Sequence, residues 1–195
     1  QHHSSAASDV YKRQSNITNE SFSDVVETIV GFAKERRPAY VCISNVHMVV
    51  EAFLSSIFQE VLNEADIATP DGKPLAVGMN LLYGTKQERI AGSDIMPALM
   101  QRAHEEGLSV FFYGNSDKVL DELEAVMAKD YPNAKVAGRC SPPFRSLDKT
   151  WVMKDIEGVE KIAATDAQMV FVSLGCPKQE IWMARHKEYL NAVMV

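Results

Sequence analysis

The strongest constraint in this 195-residue chain is an alternation between short apolar runs and longer stretches with helical spacing. The runs Ala39-Tyr-Val-Cys-Ile-Ser44, Leu108-Ser-Val-Phe-Phe-Tyr-Gly114 and Met169-Val-Phe-Val-Ser-Leu174 are apolar almost throughout. A strand with one wet face alternates polar and apolar residues, so these runs read as strands covered on both faces. Shorter β-prone runs stand at residues 66–69 and 134–137. Helical spacing fills the gaps: residues 21–36, 46–65 with a break near Leu54-Ser55, 74–83, the stretch after Asp94 as far as Glu106, 116–131, 153–164 and 178–189. A loop carrying Arg89 precedes Asp94, and a Pro- and Arg-rich loop is expected at 138–148. Strands joined by helices of this length pair in parallel through right-handed crossovers. The expected fold is therefore α/β: a Rossmann-like, mostly parallel sheet flanked by helices on both faces.

Length favours one domain, placed over residues 15–195. The first fourteen residues, QHHSSAASDVYKRQ, show no hydrophobic period and read as a disordered, tag-like stretch, so His2-His3 is given no metal role. At the other end, Asn191-Ala-Val-Met-Val195 is a β-prone run with no turn after it, which reads as a chain that continues. Hydrophobic residues make up 46% and charged residues 24%, as in an ordinary globular domain. A net charge of −6 argues against whole-surface attraction to nucleic acid or to an anionic membrane, a local basic patch staying open, and no nucleic-acid partner is expected. No apolar run reaches the roughly 18 residues that span a bilayer. The three cysteines lack CxxC spacing and read as reduced thiols of a cytoplasmic protein.

In parallel α/β sheets ligands sit beyond the carboxyl ends of the strands. That rule points to Asn45-Val-His47, Pro70-Asp-Gly72, Gly114-Asn-Ser116 and Gly175-Cys-Pro-Lys-Gln179, where the polar oddities of this sequence gather. Gly114 and Gly175 each close a strand ahead of a helix N-terminus, an arrangement that admits a ligand backbone and attracts anions. Pro177 is preset for the first helical turn, and Gln179 and Glu180 follow in that turn. Glycine also simply terminates strands, and either site alone leaves that open; the two together favour a nucleotide. Neither GxGxxG nor GxxxxGK[ST] is present, which disfavours dinucleotide dehydrogenases and P-loop enzymes. Asp71 follows a strand at the ligand edge and can serve as a general base, although Pro-Asp-Gly is equally an ordinary turn. Asp94 reads as the cap of the next helix. Arg139 or Arg145 can hold a phosphate, with a solvated surface loop the equal alternative. Cys176 beside a helix N-terminus is a minor candidate nucleophile, but His186 lies ten residues along the same helix, out of position as its base. His47, His104 and His186 lack ligand spacing, so no metal is expected. Trp151 and Trp182 read as core or interface aromatics.

An ordered set of motifs carries a resemblance. Asn45-Val-His-Met48, Thr69-Pro-Asp-Gly72, Glu88-Arg-Ile-Ala-Gly-Ser-Asp94, Phe112-Tyr-Gly114, Ser141-Pro-Pro-Phe144 and Leu174-Gly-Cys-Pro-Lys-Gln-Glu-Ile-Trp182 stand in that order. Together they resemble the bacterial WecG/TagA/CpsF glycosyltransferases over about residues 20–195. Each motif is weak alone; the Gly-x-Pro-Lys-Gln-Glu-x-Trp run makes the set specific.

The resemblance implies transfer of a sugar, N-acetylmannosamine or another hexose derivative, from a UDP-sugar to a polyprenyl-diphosphate-linked acceptor, with inversion. Such products feed teichoic acid, capsule and exopolysaccharide synthesis. Asp71 then matches the proposed catalytic base. Asn45, Gly114, Gly175, Pro177, Gln179 and Glu180 match the nucleotide-sugar side, and His47, Arg89 and Arg145 are candidates for the acceptor or diphosphate. No cofactor beyond the donor is implied, and no metal. The expected location is the inner face of the cytoplasmic membrane, reached through a C-terminal segment absent here, and a homo-oligomer is compatible with the reading. A non-catalytic nucleotide-sugar-binding relative is the rival. One departure stands out: Ile43 occupies a position where many members carry threonine, while Ser44 faces the other way on a regular strand.

Overall fold

The computed structural model describes residues 10–12, 15–143 and 155–195. Its elements run β1 (Val10–Lys12), β2 (Ser15–Ile17), α1 (Phe22–Lys34), β3 (Ala39–Ser44), α2 (Val46–Leu54), α3 (Ser56–Asn63), β4 (Ile67–Pro70), α4 (Lys73–Tyr83) and α5 (Gly92–Glu106). Then follow β5 (Ser109–Gly114), α6 (Asp117–Asp130), β6 (Lys135–Cys140), α7 (Ile156–Ala163), β7 (Met169–Ser173), α8 (Lys178–His186), a 3-10 turn (Lys187–Tyr189) and β8 (Val193–Met194). The main sheet has six strands in the order β4-β3-β8-β7-β5-β6, and every pairing is parallel. The expected α/β architecture is the observed one.

The apolar runs alternate between two cores. Tyr40 and Cys42 of β3, Phe111 and Tyr113 of β5, and Val170 and Val172 of β7 pack with α2, α3, α4, α7 and α8. Their neighbours Val41, Val110, Phe112, Met169 and Phe171 pack with α1, α5 and α6 on the other face. Continuous hydrophobicity is thus two interleaved faces, each covered by helices. The closing run Val193–Met194 sits in the middle of the sheet, between β3 and β7. Its central position explains why that run has no polar face.

Three local expectations change. The sequence places residues 138–140 in a loop, yet they continue β6 and pair with β5 beyond a register shift at Val110/Phe111. Gly138 allows this: a Cβ there would lie 2.8 Å from the Phe111 ring. Val10–Lys12, inside the stretch excluded from the fold, pairs antiparallel with Ser15–Ile17. Asp94 is not a cap, because α5 starts at Gly92 with Ala91 as N-cap and puts Asp94 in the first turn. Trp151 and the start of the helix expected from residue 153 lie outside the described residues.

Candidate active site

Backbone hydrogen bonds gather the β3 and β4 ends with the segment around residue 90. The Asp71 N–H donates to the Ser44 carbonyl at 2.8 Å, and the Ile90 N–H to the Pro70 carbonyl at 3.0 Å. Asp71, Asn45 and Arg89 therefore share one corner of the carboxyl edge. Gly72 follows Asp71 at φ +100°, a conformation L side chains rarely adopt, and caps α4. The Asp71 carboxylate is half-buried, and among the described residues no side chain bonds or pairs with it. Asn45 is the N-cap of α2, its Oδ1 accepting from the Met48 N–H at 3.0 Å. His47 is exposed in the first turn of α2. Arg89 is held by Asp94, Nη2 to Oδ2 2.8 Å. Asn80 orders the approach to Arg89, donating to the Gln87 carbonyl at 2.9 Å and accepting from the Gln87 N–H at 2.6 Å.

The β5 and β7 ends form a second, tighter group. Gly114 has φ +104°, and a Cβ there would overlap the Ser173 carbonyl oxygen. Asn115 follows in the left-handed region at φ 67°, its N–H bonded to that same carbonyl at 3.0 Å and its Nδ2 to Ser173 Oγ at 3.2 Å. Ser141 Oγ donates to the Asn115 carbonyl at 2.8 Å. Gly175, at φ +79°, donates its N–H to Gln179 Oε1 at 3.0 Å, so the first turn of α8 folds back on its own loop. Pro177 serves as the N-cap, one position earlier than expected, after a cis Cys176-Pro177 bond.

A cavity of about 390 Å³ opens along this group, lined by Gly114, Asn115, Ser173 and Gln179 at its polar rim and by Ile95, Phe112, Leu120 and Phe171 within. Ile43 and Gly92 form its wall toward β3, with Ile43 Cδ1 3.4 Å from where a Gly92 Cβ would stand. Isoleucine makes that wall apolar, and Ser44 beside it is buried on the other side of the strand. A mostly apolar pocket with a few convergent polar groups is the usual form of a small-molecule site. A wider groove of about 690 Å³ between residues 19–28 and 86–88 holds none of the predicted site residues.

Several candidates fall outside this cavity. Glu180 is buried to 1% exposure, its Oε2 without a hydrogen-bond partner, beside Cys176 and Cys42. Burial raises its carboxyl above the ordinary glutamate range, against hydrogen bonds from its own backbone N–H, Gln179 and Cys176. The Cys176 thiol is pushed up to about 12 by burial and by the Glu180 and Glu51 carboxylates. A helix N-terminus alone would lower it; with those neighbours the thiol stays protonated and unfit as a nucleophile. His186 is buried under Trp182, Nδ1 to the Trp182 carbonyl 2.8 Å, and serves no thiolate. Trp182 is a core aromatic: it stacks on Tyr113 with centroids 4.5 Å apart, and its Nε1 donates to Asp155 at 3.0 Å. Arg139 is taken up by Asp121 and Glu124 of α6. Arg145 lies outside the described residues. Sequence reasoning passed over Asn115, Ser141 and Ser173; the Gly114-Asn115 pair, both tolerant of positive φ, was the available signal.

A parallel sheet with its polar loops at one carboxyl edge is the layout in which α/β proteins hold nucleotides. The chain belongs to the Glycosyl transferase WecG/TagA/CpsF family, whose sequence model matches residues 11–195. It is 30% identical over 167 residues to an N-acetylglucosaminyldiphosphoundecaprenol N-acetyl-beta-D-mannosaminyltransferase of Bacillus spizizenii, covering 86% of this chain and 61% of that one. A Bacillus subtilis protein of the same description is 28% identical over 173 residues, covering 89% and 63%. The chain thus spans somewhat less than two thirds of the length of these relatives.

Proposed function

We propose that the chain carries the catalytic core of an inverting glycosyltransferase that moves N-acetylmannosamine, or a related hexose, from a UDP-sugar to a sugar on a polyprenyl diphosphate. The observation that carries this reading is Asp71: a carboxylate with no side-chain partner among the described residues, fixed through its backbone to β3, at the same sheet edge as a cavity rimmed by Gly114, Ser173 and Gln179. The family and the activity named for the two relatives support it.

In this reading the acceptor hydroxyl oxygen attacks the anomeric carbon. The bond from that carbon to the diphosphate oxygen breaks, UDP leaves with the electron pair, and Asp71 takes the hydroxyl proton. UDP lies along the cavity with its diphosphate toward the Gly114 and Gly175 turns, and Arg89 is the candidate cation for it. Asn45 belongs to the nucleotide-sugar side, and His47 is a candidate contact for the acceptor or the diphosphate. No metal takes part, so a chelator leaves transfer unchanged. With a UDP-sugar donor and a lipid-linked acceptor, this reading has the reaction at the inner face of the cytoplasmic membrane.

The test pairs binding with turnover. UDP at about 100 times its Kd should stabilise the fold by roughly 2.7 kcal/mol, where ADP, GDP and CMP do not. Asp71→Asn should keep that thermal shift and lose transfer. Transfer that survives Asp71→Asn removes Asp71 as the base. A UDP shift without transfer by the wild type, even with the full-length gene product, leaves a nucleotide-sugar-binding protein.

A further inference from the structure

One buried carboxylate has no part in the proposed reaction. Asp155 is 7% exposed and serves as the N-cap of α7, its Oδ1 accepting from the Gly158 N–H at 3.2 Å. Its Oδ2 accepts twice, from the Tyr113 hydroxyl and from Trp182 Nε1, the latter at 3.0 Å. Burial, and then the Asp155 carboxylate, push the Tyr113 hydroxyl above the ordinary tyrosine range, so it stays a donor. A Cβ on Gly158 would overlap Asp155 Oδ2 and stand 2.7 Å from the Tyr113 hydroxyl oxygen, so this turn has no space for a larger residue. Taking a carboxylate out of water is costly, and apolar side chains of similar volume hold a core as well or better. What the carboxylate adds is direction, because three donors converge on its two oxygens.

Its partners show where that direction is used. Tyr113 immediately precedes Gly114, which closes β5. Trp182 follows Gln179 by three residues on α8, about one turn along the same side of the helix. Gly114 and Gln179 both rim the cavity of about 390 Å³. The bonds from the Asn115 N–H to the Ser173 carbonyl and from the Gly175 N–H to Gln179 Oε1 shape each turn by itself. Asp155 instead ties the residue before Gly114 to α8. We propose that Asp155 is a positioning residue for the nucleotide: by clasping Tyr113 and Trp182 it sets the spacing between the Gly114 turn and Gln179, and so the shape of the cavity mouth. The inference rests on the proposed function, which puts UDP in that cavity. The clasp touches no reacting atom, so its loss acts on nucleotide affinity and leaves the chemical step alone.

UDP titration by calorimetry, with steady-state kinetics of the full-length gene product, tests this at a temperature where every variant is folded. Tyr113→Phe removes only the hydroxyl and should raise the UDP Kd and the KM for the UDP-sugar about fivefold or more, with kcat within about twofold. Asp155→Asn keeps the shape but has one acceptor oxygen for three donors, and should cost about tenfold in the same two constants. If Asp155→Asn does not fold, Tyr113→Phe carries the test. Tyr113→Phe and Trp182→Phe combined should lose less than the product of the single losses, since both act through one carboxylate. Ile29→Val, fully buried in the opposite core, should lower the melting temperature and leave the UDP Kd in place. Three results overturn the proposal: a UDP Kd unchanged by both Tyr113→Phe and Asp155→Asn, an equal rise with Ile29→Val, or a fall in kcat with KM unaltered. A wild type that binds no UDP sinks it together with the nucleotide reading; a wild type that binds UDP no better than the clasp variants sinks the clasp alone.

Discussion

The two halves of the carboxyl edge are built differently. At the β5 and β7 ends the backbone does the positioning: two glycines and an asparagine stand at positive φ, Asn115 bonded across to Ser173 and Gly175 to Gln179. At the β3 and β4 ends the backbone is anchored through Ser44 and Pro70, yet among the described residues no side chain bonds or pairs with the Asp71 carboxylate, and Arg89 pairs with the exposed Asp94. In the proposed reaction the diphosphate side needs a fixed cradle, so that half can be rigid. The proposed proton acceptor must meet its substrate, so its half keeps reach. The prediction is that mutations in the first half act on stability, and those in the second on turnover.

The largest effect belongs to the second half. Asp71→Asn should lower transfer by about 10²- to 10⁴-fold, and because no described group pairs with that carboxylate, the melting temperature should hold. A large drop in melting temperature would make Asp71 part of the scaffold and erase the distinction. The first half answers with Gly114→Ala, which drives a Cβ into the Ser173 carbonyl at φ +104° and should destabilise by about 3 kcal/mol or more. Gly175→Ala meets nothing within 4 Å, so only its positive φ counts, about 1 kcal/mol. Chemical denaturation of the two variants sets the ratio; equal losses would deny the tight packing at Gly114.

Glu180 sharpens the comparison by pH. It stands in the first half but faces the core, where burial raises its carboxyl pKa. A raised folded value means stability is complete while the group is protonated and is lost as pH rises through that value. Melting curves from about pH 4 to about pH 8 should show the wild type losing stability relative to Glu180→Gln. Parallel curves would mean that burial does not shift the Glu180 carboxyl between the unfolded and folded states.

The sheet was legible in the sequence because doubly covered strands admit almost only apolar residues, and Tyr40 to Ile43 or Val110 to Tyr113 serve two cores at once. The site was legible by position: Asp71, Asn45, Gly114 and Gly175 do lie at the carboxyl edge. Glycine and aspartate announce themselves there by chain geometry. What stayed hidden depends on neighbours distant in sequence. Glu180 reads as an accessible first-turn residue until β3 supplies Cys42 beside it, and Cys176 reads as an activated thiol until two carboxylates surround it. Arg139 reads as a free phosphate ligand until α6 presents Asp121 and Glu124. Residues 138–140 read as loop because the register shift in β5 that receives them has no signature of its own.

The smallest expected effect tests whether Arg89 belongs to the reactive half. Both partners of its ion pair with Asp94 are about half exposed, so the pair contributes about 0.5 kcal/mol or less to stability. If Asp94 instead aims the guanidinium at the donor diphosphate, its value appears in recognition, where orientation of a charge-assisted contact matters. Asp94→Asn should then leave the melting temperature in place and raise the KM for the UDP-sugar about threefold or more, with kcat little changed. A lowered melting temperature with an unaltered KM would assign the pair to the loop that Asn80 orders, and would leave the reactive half with Asp71, Asn45 and His47.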